Sequence, residues 1–114
     1  WQLPRMIGLG NTLLLQYLGD LIPADKAFQL GLVNEVVEHD KLLDTTMELA
    51  KRIAQGPTYS MSLIKYLVQK SLYTNLEDSL KVATVAQNIA RGTEDHKEGV
   101  RAFLEKRKPN FKGR

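Results

Sequence analysis

The stretch LVNEVVEHD, residues 32–40, constrains the folds open to this chain more than any other. Leu32, Val33, Val36 and Val37 are mostly β-branched and surround the polar pair Asn34–Glu35, the pattern of a short strand near 32–37. It is the only good strand candidate in the 114 residues. A strand presents a row of backbone donors and acceptors that needs a neighbour, and a lone strand leaves that row unsatisfied. It must therefore pair with something weakly represented here or absent altogether. This is a first sign of incompleteness, and the start at Trp1 rather than methionine is a second: the chain reads as processed or as a piece of something longer.

The rest reads as helix. LPRMIGLGNTLLLQYLGD opens with Pro4, which suits a first turn, and Ile7, Leu14, Leu15 and Leu18 recur at helical spacing before Gly19. LIPADKAFQLG is a shorter helix entered at Pro23, with Gly31 expected as its left-handed C-terminal cap. Asp40 is expected to cap KLLDTTMELAKRIAQ, whose Leu43, Met47, Ala50 and Ile53 trace one face, and Gly56–Pro57 ends it. TYSMSLIKYLVQKSLY carries Met61, Ile64, Leu67, Val68 and Leu72 on one stripe. Asn75 caps the next helix, with Glu77 and Asp78 where the helix dipole favours anions. That helix shows two apolar strips, one of small residues with Leu76 and Leu80, and one of Val82, Val85 and Ile89. The pair predicts burial on two sides, partly against another subunit. Thr93 caps EDHKEGVRAFLEKRK, which Pro109 closes, with Val100, Phe103, Leu104 and Arg107 at i, i+3, i+4, i+7. Gly99 is costly inside a helix, by about 1 kcal/mol relative to alanine, and signals close packing against a partner the sequence does not identify. The fold class is mainly α.

Bulk properties set limits. A chain of this length can bury roughly two-thirds of its unfolded surface. Hydrophobic residues make up 43% and charged residues 25%, ordinary for a globular protein. With no cysteine there is no disulfide framework or thiolate metal site, which fits a reducing compartment. No signal peptide is visible, and no apolar run approaches the ~20 residues of a membrane span. Net charge is +3, too mild to argue for nucleic acid, but its distribution is uneven. Arg101, Lys106, Arg107, Lys108, Lys112 and Arg114 face one anion, Glu105, so the tail carries +5 and residues 1–100 carry −2. Such a tail is either a solvated face or a site for a phosphate-bearing ligand or polyanion.

Chemistry-bearing motifs are absent. There is no phosphate loop and no dinucleotide fingerprint, and GLGNT follows no strand. His39 and His96 have no metal-ligand partner at i+4, and no metal is expected. Glu94–Asp95 and Glu77–Asp78 are adjacent pairs that do not face one another on a helix, so dipole matching explains them better than paired acid–base work. Ser60 and Ser62 have no histidine within local reach. Read from residues alone, this is a helical, associating module with one orphan strand and a basic C-terminus.

Three stretches in order change that. LPRMIG, LIPADKAFQLGLVNEVVEHDKL and TEDHKEGVRAFLEKRKPNFKGR resemble the C-terminal part of the enoyl-CoA hydratase/isomerase (crotonase) superfamily. Gly31–Leu32–Val33–Asn34 with Val36–Val37, and Thr93 through Phe111, match the family pattern in order and spacing. Pro23 departs from it, standing where the family often has serine or threonine. The resemblance implies a crotonase-like α/β fold of which residues 1–38 are the tail end of the core, two helices and a strand. Residues 39–114 are then the C-terminal helical, trimer-forming region. The spiral β-core, the two oxyanion-hole amides and the catalytic glutamates are expected before Trp1, so no catalytic residue is assigned here and the chain alone is expected to be inactive.

The resemblance further implies an acyl-CoA thioester as substrate, no prosthetic group, and a homo-oligomer, trimer or hexamer. Helix-exchanged assembly is a further option for this chain by itself. Nucleic acid and membrane partners are not expected. A bacterial cytoplasm or mitochondrial matrix fits. By resemblance, Phe103 and Lys106 contact the adenosine 3′-phosphate region of CoA bound to a neighbouring subunit. Phe103 also belongs to the apolar stripe of its helix, so its ring is either a ligand contact or part of a core. Hydratase, isomerase, hydrolase and decarboxylase chemistries share this framework. The competing reading is a stand-alone helical module that offers the basic tail to a polyanion or a protein.

Overall fold

A computed structural model describes residues 1–114. It contains seven α-helices and no strand: α1 (Leu3–Ile7), α2 (Leu9–Leu18), α3 (Ala24–Gln29), α4 (Leu42–Ala54), α5 (Thr58–Ser71), α6 (Leu76–Gly92) and α7 (Glu94–Leu104), with a 3-10 turn over His39–Lys41 before α4. The mainly α class expected from sequence holds. The chain divides into two compact units, 1–45 and 46–114.

In the first unit, the single helix read from Pro4 to Leu18 is two. Gly8 breaks it with φ 80° and ψ 161°, a conformation that only glycine adopts without strain. Its N–H donates to the Pro4 carbonyl at 3.1 Å and closes α1. Its own carbonyl accepts from the Thr12 N–H at 3.1 Å and the Thr12 hydroxyl at 2.8 Å, and starts α2. Thr12 and Ile7, on either side of the break, are buried. Gly31 is the left-handed cap that the sequence predicts, with φ 79°. The Leu32 N–H reaches the Ala27 carbonyl at 2.8 Å and the Gly31 N–H reaches that of Phe28 at 2.9 Å, a Schellman arrangement.

The strand expected over 32–37 is not formed. Residues 32–34 bend and the segment after them runs without a ladder. Leu32 and Val37 are half-buried, while Val33 and Val36 are exposed. The physical reason is the one that makes the stretch notable: β-branched residues favour the extended backbone, but a ladder needs a second strand, and this chain offers none. Asp40 also departs from expectation, lying inside the 3-10 turn rather than capping α4 with its side chain.

In the second unit α6 packs against both α5 and α7. The Asn75 side chain accepts from the Asp78 N–H at 2.9 Å, the predicted cap of α6. The covered seam of α6 runs through Ser79, Val82, Ala83, Ala86 and Ala90. Small side chains there let neighbouring backbones approach closely. The two apolar strips read from sequence flank this seam only in part, because Leu76, Leu80, Val85 and Ile89 remain exposed. On α5, Met61 and Leu67 are half-covered as expected, together with Ser60 and Leu63, but Ile64, Val68 and Leu72 are open. Between α5 and α6 lies a groove of about 270 Å³ lined by Leu67, Val68, Leu80, Val82 and Ala83. Leu43, Met47 and Ile53 of α4 are exposed as well.

Few apolar groups are therefore inside. Ile7, Ala86 and Ala102 are the only buried hydrophobic residues. The accessible surface is 9498 Å², where a self-contained monomer of this mass has about 6,300 Å². The chain hides about half of its extended-chain surface rather than the roughly two-thirds expected from length. Helices with this much open apolar face seek partners. Light scattering over a concentration series is expected to show the chain's mass rising above that of one copy; a constant monomer mass would contradict this.

Candidate functional site

The last quarter of the sequence builds the most ordered polar structure in the molecule. Thr93 alone joins α6 to α7 and bonds in both directions. Its hydroxyl accepts from the His96 N–H at 3.0 Å, capping α7 as predicted, and donates to the Ala90 carbonyl at 2.6 Å. The covered face of α7 then runs through Asp95, Glu98, Gly99 and Ala102, spaced i, i+3, i+4, i+7. Ala102 is 1% exposed and Asp95 2%.

A buried carboxylate needs partners, and Asp95 finds them in the returning tail. Its two oxygens accept from the Lys112 N–H at 2.6 Å and the Gly113 N–H at 2.8 Å. Its own N–H donates to the Arg114 carbonyl at 2.9 Å. One turn on, Glu98 accepts both arms of the Arg107 guanidinium, at 2.6 and 3.0 Å, and the Asn110 N–H at 2.9 Å. Phe111 lies over Gly99, where an added Cβ would stand 3.6 Å from the ring. That is the close packing for which the sequence names no partner. Arg114 pairs with Glu94 at 3.1 Å, and Arg107 also reaches Glu105. The tail is thus clasped along α7.

Sequence reasoning misses the clasp. It assigns Asp95 to dipole matching and leaves the tail's charge without a carboxylate partner on α7. The signal is present in the i, i+3, i+4 spacing of Asp95, Glu98 and Gly99, a polar stripe with a glycine gap that needs a covering segment.

α7 ends at Leu104, not at the residue before Pro109. Its stop is a Schellman turn in which the Lys106 N–H reaches the Phe103 carbonyl at 3.2 Å and the Arg107 N–H reaches that of Ala102 at 3.0 Å. Lys106 fills the left-handed position with φ 54° and is the only non-glycine residue of the chain with positive φ. A side chain in that conformation costs about 1 kcal/mol. Arg107 consequently leaves the helix face on which its spacing puts it and turns back to Glu98. Lys106 likewise lies outside the helix, and its place after the Phe103 end of α7 is set by the turn.

The stripe of Val100, Phe103 and Leu104 is the open face of α7, not its core face, because the polar clasp takes the opposite side. Phe103 is 83% exposed. Of its two readings, burial in this chain is overturned. Lys106, Arg101, Lys108 and Lys112 form no ion pair, whereas Arg107 and Arg114 are taken by carboxylates of α7 and its C-cap. The end of α7 therefore offers an exposed ring at Phe103 and, in the turn that follows, a Lys106 ammonium without an ion pair, groups of the kind that can meet a flat base and a phosphate. No group of His, Asp and Glu side chains is placed to hold a metal.

The sequence model described as enoyl-CoA hydratase/isomerase matches residues 1–114. The chain belongs to that family. It is 38% identical over 110 residues to a crotonyl-CoA hydratase of Syntrophomonas wolfei, covering 96% of this chain and 42% of that protein. It is 35% identical over 114 residues to a 1,2-epoxyphenylacetyl-CoA isomerase of Escherichia coli, covering 100% of this chain and 44% of the relative. The crystal structure of an enoyl-CoA hydratase from Bacillus anthracis superposes with a TM-score of 0.93 at 35% identity, over 98% of this chain and 43% of that one. The chain thus spans less than half the length of the relatives it matches, and it corresponds to the helical C-terminal portion of the crotonase fold.

The Glu98 carboxyl is lowered from an ordinary value of 4.5 to about 2, first by the Arg107 hydrogen bonds and then by the Asn110 N–H. The Arg107 guanidinium is held more firmly protonated by Glu98 and then by Glu105. A depressed carboxyl stabilises the fold above its unfolded value and loses that contribution as pH falls through its folded one. The melting temperature of the wild-type chain should therefore exceed that of Glu98→Gln by a constant margin above about pH 4.5, closing toward pH 2. A margin unchanged across that window would contradict the assignment.

Proposed function

We propose that this chain is the assembly and nucleotide-contacting end of an acyl-CoA-processing enzyme of the hydratase/isomerase type, with Phe103 and Lys106 meeting the adenosine 3′-phosphate region of bound CoA. One observation carries the reading. In the closing signature, Thr93 caps a helix, Asp95 and Glu98 clasp the tail, and Gly99 leaves the gap that Phe111 fills. Ala102 is buried and Arg107 is ion-paired. The side chains of Phe103 and Lys106 make no such contact, and Lys106 sits in a backbone conformation where glycine would cost less. A costly side chain kept in an exposed turn is accounted for by a ligand.

The reaction belongs to the whole enzyme. A CoA thioester is its substrate, and no prosthetic group is invoked. Enolate charge developing on the thioester oxygen needs preorganised amide donors, and proton movement needs carboxylates. Both are proposed to lie in the portion that the matched relatives have and this chain does not span. Residues 1–38 are then the tail end of the catalytic core and residues 39–114 the assembly region. The open strips on α4, α5 and α6 support a homo-oligomer, trimer or hexamer, in which they are covered.

Two measurements test this. In the full-length protein, Lys106→Ala should weaken CoA binding by about tenfold, the scale of a charge-assisted contact, and flatten its dependence on salt. Unchanged affinity and salt slope would sink the assignment. The 114-residue chain mixed with crotonyl-CoA should leave the absorbance of the conjugated thioester constant; enzyme-dependent decay would show a reactive centre within it.

A further inference from the structure

The turn that carries Lys106 is held by more than its own two backbone bonds. A left-handed lysine is the unfavourable choice at this position, and such a conformation persists only where its surroundings over-determine it. The surroundings are specific. Arg107, the next residue, is gripped by both Glu98 oxygens at 2.6 and 3.0 Å, and its Nε reaches Glu105, the residue before Lys106. Arg107 also donates to the Lys108 carbonyl at 3.1 Å, and Glu98 takes the Asn110 N–H at 2.9 Å. Arg107 and Asn110, which follow Lys106, are thus tied to one carboxylate on α7, and Arg107 in turn holds Glu105, which precedes it, while the Lys106 side chain is left without an ion pair.

We propose that Glu98, acting through Arg107, is a positioning residue for the anion contact: it fixes the left-handed turn that carries Lys106 directly after the Phe103 end of α7. Glu98 does not touch the ligand. Its bidentate grip on a planar guanidinium sets direction as well as strength, which a lysine in place of Arg107 would not reproduce. The inference rests on the nucleotide-contact reading above, and supplies the part of the chain that keeps that contact in place before a ligand arrives. Preorganisation of this kind appears as affinity, because the ordering cost is met on folding rather than on binding.

The test titrates the chain with adenosine 3′,5′-bisphosphate and with adenosine 5′-monophosphate, following backbone amide shifts at residues 103–106 by two-dimensional NMR. Wild type should prefer the bisphosphate by about tenfold. Lys106→Ala should abolish the preference. Glu98→Gln should reduce it to the same level while circular dichroism stays helical, and the double variant should lose no more than either single one. If Glu98→Gln fails to fold, Arg107→Lys, which keeps the charge and loses the fork, is expected to show the same loss. Equal preference in wild type and Lys106→Ala, or none in wild type, overturns the nucleotide reading and this inference with it. Loss in Lys106→Ala with preference retained in Glu98→Gln and Arg107→Lys leaves the reading standing and overturns the positioning role. Additive losses in the double variant do the same.

Discussion

The Asp95 carboxylate is the interaction on which the ordered end of this molecule depends. It is nearly inaccessible to water, and two tail amides donate to its oxygens. Remove those donors and a buried charge is left uncompensated, which costs several times the net value of an ordinary hydrogen bond. The tail in turn has few apolar groups of its own and is held by that carboxylate, by Glu98 and by Phe111 on Gly99. Helix and tail therefore stand or fall together.

Elsewhere the governing fact is how little is covered. Only small or modest side chains, Ile7, Ala86 and Ala102, reach the interior, while most of the large apolar residues of the helices stay in water. The apolar area is concentrated on helix faces rather than scattered, and faces of that kind are half of an interface. This agrees with membership of a family whose matched members are more than twice as long.

Much of the structure is legible in the residues. The caps at Asn75 and Thr93 and the left-handed Gly31 follow from local chemistry, and all three form. What fails needs information from outside the segment. The 32–37 stretch has strand composition but no partner. The helix through Gly8 has the right periodicity, but one glycine dihedral divides it. The apolar stripe of α7 reads as its core side, because hydrophobic spacing shows that a face exists, not which face this chain covers. The polar face wins because the buried Asp95 and half-buried Glu98 carboxylates line it with amide partners from the tail. For the same reason Phe103 and Lys106 stand out by resemblance, whereas the reason their side chains are unengaged comes only from the fold.

Thr93 has a mechanical consequence. A one-residue joint bonded to both helices leaves α7 almost no torsional play against α6. The two helices then behave as a single bent lever. A surface that covers the outer strips of α6 therefore meets a body whose far end carries the exposed Phe103.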